Sequence, residues 1–227
     1  MIASRLRASA KNGKTASGGA GRRCERSRTW TRTYRVRIPG LTSAPVPDLR
    51  PDDHVRGPDG APLVVMYADF TCPRCAVAHE RMRSAPLRVA FRHLALRAKH
   101  PRAIALAQAS EAAAAQGAFW AFHDAVYADQ GRIDDPHLWA HAASLGLDVE
   151  RFERDRRSDA VAERVRRDTR EAMRAGATAT PTLFAQGEIH PGPPDAGWMR
   201  RMAPLSSSQI GQDDRSKTRG AESDGRP

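Results

Sequence analysis

The apolar positions along the chain predict a strand, a helix and a second strand, followed by a long helical block. Residues 63–67 (LVVMY) form a continuous, β-branched apolar run, which is typical of a strand buried on both faces. Residues 72–85 carry apolar side chains at helical spacing, Val77 and Met82 among them, and predict a helix. Residues 87–94 (LRVAFRHL) roughly alternate apolar and polar side chains and predict a second strand. This order favours a parallel strand pair with a right-handed crossover.

The segment from about 98 to 176 predicts an inserted helical subdomain, because its composition favours helix and glycines, prolines and capping residues divide it. We expect five helices, and their predicted positions are 101–116, 119–127, 136–145, a short helix from Asp148, and 158–175. The last two are rich in charge, and we expect them to present a solvated face with ion pairs between residues four apart.

The ends of this domain are less regular. Residues 43–61 are rich in Pro and Asp and predict an extended lead-in that a turn closes. A strand is expected to end near Phe184, and a short helix is expected over 195–202. We expect the prolines of 191–194 to break the last strand and to shorten the edge of the sheet. The pattern is that of one α/β domain, residues 43–203, with an inserted helical block.

Composition and charge narrow the function classes. With 227 residues, of which 40% are hydrophobic, the chain suits one domain with a buried core. The net charge of +11 sits mainly in residues 1–40, which hold eleven basic residues and one acid. Whole-chain basicity therefore describes an arm, and it argues against nucleic-acid binding by the domain. Residues 1–42 and 204–227 lack apolar periodicity and predict a disordered arm and a disordered tail.

The sequence also limits the possible targeting signals and disulfide bonds. No apolar run reaches the ~18 residues of a membrane span. No apolar stretch follows the early arginines, so we expect a cytoplasmic location by default, or an exported one if translation starts elsewhere. Three cysteines exclude a disulfide-stapled scaffold. Cys24 lies in the arm, where we expect an incidental exposed thiol.

The chemistry is concentrated in the run Cys72-Pro73-Arg74-Cys75, which directly follows a predicted strand and opens a helix. Two cysteines three residues apart at a helix start lie on one face, so their sulfurs can form a disulfide. The first sulfur faces unpaired N–H groups and the positive end of the helix dipole, which stabilise a thiolate. Arg74 adds a positive charge nearby. Cys75 lies deeper, and the two have the properties of an attacking and a resolving thiol.

Other interpretations of this motif stay open. Cys72, Cys75 and His79 could supply three zinc ligands, but the sequence offers no second Cys-x-x-Cys for a complete site. Two inert buried thiols are a further alternative. The Thr180-Pro181 pair before the last strand favours the redox interpretation, because an X-Pro bond there can be cis and mark a tight functional geometry.

Four stretches together resemble the DsbA-like branch of the thioredoxin superfamily. They are the active-site segment 67–75 (YADFTCPRC), the strand segment 92–96 (RHLAL), the helix start 119–124 (FWAFHD) and the loop 180–184 (TPTLF). The resemblance covers about residues 52–190, and it includes domains fused to sodium/proton antiporters. It implies a thioredoxin-like fold with an inserted helical subdomain.

The resemblance implies a protein thiol–disulfide oxidoreductase without cofactor or metal. Cys72 would be the nucleophile and Cys75 the resolving thiol, with Pro181 beside them in cis. Thr180 would offer its backbone to an extended substrate, and Pro73 and Arg74 would flank it. The implied partners are cysteine-containing proteins or peptides and a redox partner protein or glutathione.

The chain departs from the family at a few positions. Thioredoxins carry a buried acid six residues before the first cysteine, where this chain has Met66. Asp69 is the nearest candidate proton acceptor, and a local structural role is an equal alternative. A non-catalytic redox-sensing or partner-binding module also stays open. A glutathione-dependent isomerase fits less well, because such members tend to replace the first cysteine by serine.

Overall fold

A computed structural model describes residues 46–203, and these residues form a mixed five-stranded sheet with helices packed on it. The strands are β1 (His54–Arg56), β2 (Leu63–Ala68), β3 (Arg88–His93), β4 (Thr182–Ala185) and β5 (Glu188–Pro191). The helices are α1 (Pro73–Met82), α2 (Ala103–Ala114), α3 (Phe119–Ala128), α4 (Asp135–Ser144), α5 (Val149–Asp155), α6 (Asp159–Arg174) and α7 (Ala196–Met202). The predicted arm, the predicted tail and Cys24 lie outside the described residues.

The strand order is β1-β3-β2-β4-β5, and the pairing of β2 with β3 is parallel while the other pairs are antiparallel. Helix α1 connects β2 to β3, as the strand–helix–strand pattern predicts. The two central strands therefore end at the same edge of the sheet, and the segment that opens α1 starts there. None of the helices in residues 46–203 has the length and hydropathy to span a bilayer.

The position of strand β2, which is covered on both faces of the sheet, explains why its sequence is continuously apolar. Val64, Met66 and Ala68 belong to the hydrophobic cluster on one face of the sheet, whereas Val65 and Tyr67 belong to the cluster on the other. Side chains alternate along a strand, so a strand covered on both faces needs apolar residues at every position. The site that follows β2 is thus held by a strand anchored from two sides.

The inserted block consists of the five helices α2 to α6, between β3 and β4. Asp134, Asp148 and Ser158 cap α4, α5 and α6, and each side chain accepts a hydrogen bond from the backbone N–H three residues later. These caps are local signals, which is why the sequence located the helix starts closely.

Helix α6 has the expected solvated charged face, and its other face also buries a charge. Asp168 is fully buried, and its carboxylate accepts hydrogen bonds from Arg50 at 2.8 Å and from the backbone N–H of His93 at 3.2 Å. Exposed ion pairs do occur, such as that of Glu163 with Arg166 at 2.9 Å. One face of the helix is nevertheless closed against β3 by charge pairing, which a pattern of exposed arginines does not reveal.

The structure adds detail to three further expectations. The extended lead-in contains the short strand β1, which pairs with β3. On α1 Met82 is buried as an apolar residue, together with Ala78 and His79, whereas Val77 is 42% exposed. The last strand, β5, ends at Pro191 and lies at the edge of the sheet, where proline breaks no inner ladder bond.

Candidate redox site

Cys72 and Cys75 lie where β2 passes into α1. Cys72 has extended backbone angles and occupies the position before the first helical residue, Pro73. Its carbonyl accepts the first helical hydrogen bonds, from the N–H of Cys75 at 2.9 Å and of Ala76 at 3.3 Å. Proline fits this first position because its missing N–H would have no helical partner there. Both cysteines are free thiols, and both are buried, Cys72 with 4% exposure.

The loop before β4 reaches the first sulfur. The thiol of Cys72 donates a hydrogen bond to the carbonyl of Thr180 at 3.5 Å. The Thr180–Pro181 peptide bond is cis, and the carbonyl of Pro181 accepts a hydrogen bond from the N–H of Gly192 at 2.7 Å. Thr180 follows Cys72 by 108 residues along the chain. The tertiary structure therefore brings the Thr180–Pro181 loop next to the Cys72–Cys75 pair.

The environments of the two thiols shift their pKa values in opposite directions. The hydrogen bond from the Cys75 thiol is the largest cause that lowers the pKa of Cys72, to about 5; burial opposes it, and Thr180 and the N–H groups of Cys75 and Arg74 add to it. Burial raises the pKa of Cys75 far above its usual range, and the neighbouring Cys72 raises it further. At neutral pH the pair therefore holds one thiolate and one thiol.

Arg74 contributes differently from the expectation. Its guanidinium lies against Gly192, where a Cβ atom would come within 2.3 Å of an Arg74 Nη. The leading causes of the lowered Cys72 pKa include the backbone N–H of Arg74 rather than its side-chain charge. Pro73 and Arg74 are the exposed residues of the motif, so they form its outer rim.

Asp69 is buried beside the pair and is only partly hydrogen-bonded. Its Oδ1 accepts hydrogen bonds from the N–H of Thr71 at 2.8 Å and from the Thr71 hydroxyl at 2.7 Å, while Oδ2 has no partner within the described residues. Its own N–H donates to the Cys75 Sγ at 3.5 Å. Burial raises the pKa of Asp69. Met66 is 2% exposed among apolar neighbours, and its side chain cannot accept a proton. Asp69 therefore remains the candidate proton acceptor beside the two cysteines.

The structure does not bring His79 together with Cys72 and Cys75, as the zinc alternative requires. The Nδ1 of His79 bonds the Arg56 guanidinium at 2.8 Å, and its ring packs on Tyr127 and His123 rather than joining the two sulfurs. Within residues 46–203, the group with ligand atoms close enough for a metal is His79, His123 and Asp124. Arg56 also donates to Asp124 at 2.8 Å, so a fixed positive charge already neutralises this group.

Two residues of the site were not found from the sequence. The hydroxyl of Tyr127 donates to the carbonyl of Asp69 at 3.3 Å, and the side-chain amide of Gln130 donates to the carbonyls of Phe70 at 2.7 Å and Cys72 at 3.1 Å. Tyr127 lies in the last turn of α3 and Gln130 in the turn that follows it, and both belong to the inserted block. Their sequence context is that of an ordinary helix end, and it carries no signal for this contact.

The fold and the site geometry agree with comparisons to known proteins. The family model of the DSBA-like thioredoxin domain matches residues 86–199, which is half of the chain and includes the Thr180–Pro181 loop. The chain belongs to this family. The DSBA-like match begins after Cys75, so the Cys72–Cys75 motif itself lies before the matched residues.

Solved structures confirm the thioredoxin-like α/β fold. A thioredoxin-like oxidoreductase from Silicibacter pomeroyi is 25% identical with a TM-score of 0.58, and the alignment covers 76% of this chain and 95% of that one. Pseudomonas aeruginosa DsbA2 is 25% identical with a TM-score of 0.55, covering 68% and 94%. Wolbachia pipientis alpha-DsbA1, at 20% identity and a TM-score of 0.59 over 75% and 96%, shows the fold alone.

Curated relatives of this DSBA-like chain are named Na(+)/H(+) antiporters NhaA. That of Herminiimonas arsenicoxydans is 46% identical over 167 residues, which is 70% of this chain and 26% of that protein. NhaA 3 of Salinispora tropica is 41% identical over 161 residues, 68% and 24%. The chain therefore spans about a quarter of the length of these relatives. Family membership places the chain, at family level, among the thiol–disulfide oxidoreductases.

Proposed function

We propose that this protein exchanges disulfides with cysteine-containing proteins or peptides through Cys72 and Cys75. The observation that carries the proposal is the separation of the two thiols, because Cys72 has a pKa near 5 while the pKa of Cys75 is strongly raised. A stabilised thiolate in the reduced pair makes the corresponding disulfide a stronger oxidant. The reaction needs no metal or organic cofactor.

In the oxidising direction, a substrate thiolate attacks the Cys72 Sγ of the Cys72–Cys75 disulfide. A mixed disulfide forms, and the Cys75 sulfur leaves with the electron pair and takes up a proton. A second substrate thiolate then attacks the substrate sulfur of the mixed disulfide, and Cys72 leaves as the stabilised thiolate. The substrate loses two electrons and the Cys72–Cys75 pair gains them. A redox partner protein or glutathione disulfide would restore the oxidised pair.

Asp69 is the proposed proton carrier for Cys75. In the reducing direction Cys75 must lose its proton before it attacks the mixed disulfide, and its raised pKa makes that loss slow without an acceptor. The Oδ2 of Asp69 is free within the described residues, and the Asp69 backbone already contacts the Cys75 sulfur. Its raised pKa brings it closer to the range of a useful base.

The substrate would bind along the Thr180–Pro181 loop. Thr180 presents its carbonyl to the Cys72 sulfur, so a peptide that enters the mixed disulfide would lie beside this backbone. Main-chain hydrogen bonds of this kind give affinity with little sequence preference. Pro73 and Arg74, at the exposed rim, would contact residues that flank the substrate cysteine.

The test is the redox titration of the purified full chain. Protein equilibrated over a series of glutathione buffers is quenched with a thiol-trapping reagent and weighed by mass spectrometry. We expect a reversible two-thiol step that Cys72→Ser removes and that Cys24→Ser leaves intact. A two-thiol step that persists in Cys72→Ser, or its absence from the unmodified chain, would overturn the proposal.

A redox-sensing module is the second candidate, and the relatives favour it. The NhaA antiporters are 38–46% identical to this chain, whereas the Silicibacter pomeroyi oxidoreductase and Pseudomonas aeruginosa DsbA2 are each 25% identical to it. In such a module the pair would switch binding to a membrane transporter instead of turning over. Turnover of a disulfide-containing protein such as insulin supports the oxidoreductase, whereas stoichiometric, oxidation-dependent binding of one partner supports the sensor.

A further inference from the structure

The inserted helices contact the backbone that carries the nucleophile. We define the active-site turn as residues 69–72, which join β2 to α1. Three of its four carbonyls accept hydrogen bonds from the last turn of α3 and the turn after it. The carbonyl of Asp69 accepts from the Tyr127 hydroxyl, and those of Phe70 and Cys72 accept from the amide of Gln130. The redox pair is therefore held from the inserted block as well as from the sheet.

Gln130 is suited to this contact because its amide nitrogen has two hydrogens. One is directed to the Phe70 carbonyl at 2.7 Å and the other to the Cys72 carbonyl at 3.1 Å. The Cys72 carbonyl also accepts the first helical hydrogen bonds of α1. A single side chain thus fixes the turn before the cysteine and the first turn of the helix after it.

The position of this backbone decides where the Cys72 sulfur stands relative to its donors. The N–H groups of Cys75 and Arg74, in the first turn of α1, favour the thiolate of Cys72, and such an electrostatic effect weakens as the sulfur moves away from them. The N–H of Cys75 itself donates to the Cys72 carbonyl, the same group that Gln130 holds. If the turn shifts, the distance from the sulfur to these N–H groups changes. The same shift would change the contact of the sulfur with Thr180.

We propose that Gln130 is a positioning residue that sets the reactivity of Cys72 by holding the active-site turn against the start of α1. The inference rests on the proposed function, since it concerns the same thiol. It assigns to the inserted block a direct part in the redox chemistry. The ionisable groups that face Cys72 from the packed elements are Cys75, Asp69 and Tyr127, and Gln130 adds no charge to them.

The chain provides a matched control. Gln116 also makes two hydrogen bonds to backbone across the inserted block, donating to the carbonyl of Asp148 at 3.1 Å and accepting from its N–H at 3.0 Å. It follows α2, and neither bond involves the active-site turn. Gln130→Leu and Gln116→Leu therefore each remove two hydrogen bonds from a side-chain amide to the backbone, but only the first removes them next to Cys72.

The experiment measures the alkylation rate of Cys72 against pH in the reduced, full-length protein with Cys24→Ser as background. For Gln130→Leu we expect the apparent pKa of Cys72 to rise by about one unit, so alkylation slows about tenfold at pH 4 and is unchanged at pH 8. Gln116→Leu should follow the background protein at every pH. Gln130→Asn, whose shorter side chain keeps the amide but cannot reach both carbonyls from the same position, should shift the profile in the same direction by less.

The outcomes separate the two proposals. Equal profiles for Gln130→Leu and Gln116→Leu would overturn the role of Gln130 while leaving the low pKa of Cys72 intact. A background protein whose Cys72 titrates like an ordinary thiol would overturn the proposed function itself. If Gln130→Leu fails to fold, the Gln130→Asn profile decides, because an unshifted profile contradicts the inference and a shifted one supports it. A thermal unfolding midpoint for each variant separates lost stability from lost positioning.

Discussion

Two regions of this molecule bury ionisable groups, and they treat them in opposite ways. The first is the redox site around Cys72, Cys75 and Asp69. The second surrounds Arg92 on β3 and consists of Arg50, Asp53, Arg92 and Asp168, which we call the buried ion network. In the network the side chain of Asp53 is fully buried and accepts five hydrogen bonds from Arg50 and Arg92.

Pairing explains why one region is inert and the other reactive. Burial acts to raise the pKa of Asp53, but the hydrogen bonds from Arg92 and Arg50 outweigh it and lower the pKa to about 2. Burial likewise raises the pKa of Asp69, and there no arginine compensates it among the leading causes. A buried charge with a full set of partners is fixed, whereas one with a free oxygen can take up or release a proton.

The network also has a clear structural consequence. Arg50 bonds Asp53 in its own segment and Asp168 on α6, and Arg92 on β3 bonds Asp53 at 2.6 Å. The lead-in, the sheet and the inserted block are therefore joined at one place. The redox site has no comparable set of ion pairs in the part of the chain that the structure describes, and neutral hydrogen bonds hold it together.

The largest loss of stability is expected from a substitution of Arg92, which would disrupt the buried ion network. Arg92→Leu leaves the Asp53 carboxylate buried with only Arg50 to pair it, and we expect the free energy of unfolding to fall by about 3 kcal/mol or more. Arg88→Leu, on the same strand, removes only a 3.8 Å pair with the exposed Asp59 and should cost at most about 1 kcal/mol. Urea unfolding measures both, and equal costs would show that the network is not special.

The dependence of the free energy of unfolding on pH, below about pH 4, provides a second test of the comparison. Because Asp53 has a folded pKa near 2, below its usual value, its contribution is complete at neutral pH and is lost as the pH falls from about 4 to 2. We expect a loss of about 1–2 kcal/mol over that range in urea unfolding. Arg92→Leu should flatten this part of the curve. Parallel curves for the two proteins would contradict the assignment to Asp53.

The same substitution at the two carboxyls should have opposite consequences. Asp69→Asn keeps an oxygen for the two bonds from Thr71, so the free energy of unfolding should change little, while resolution of a mixed disulfide should slow by at least about tenfold. Asp53→Asn should lower stability and leave resolution unchanged. Stopped-flow kinetics that follow the decay of a mixed disulfide, formed on Cys72 by mixing the reduced protein with a small disulfide, measure the first effect. A normal rate in Asp69→Asn would remove Asp69 from the mechanism.

Local signals explain how much of the fold could be predicted. The buried strand β2, the helix that opens at Pro73 and the caps Asp148 and Ser158 depend on residues a few positions apart, and the structure has these elements close to their predicted bounds. Strand β1 and the buried face of α6 depend on partners far along the chain, so the sequence pattern did not reveal them.

The candidate site divides in the same way. Spacing alone placed Cys72 and Cys75 at a helix start and marked the Thr180-Pro181 pair, while the roles of these residues remain predictions. The sequence could not show that Arg74 turns toward Gly192, since that depends on where β5 ends. Nor could it show that Gln130 reaches two carbonyls about 60 residues away.

The sequence by itself determined the inserted helices, strands β2 and β3 and the pair of thiols at a helix start, because helix caps, apolar patterning and Cys-x-x-Cys spacing act over a few residues. Only the tertiary structure decided which buried charges are paired and which are free, and which side chains hold the active-site turn. The reason is physical: burial and long-range hydrogen bonds set the pKa of a group, and both exist only once distant segments have packed together.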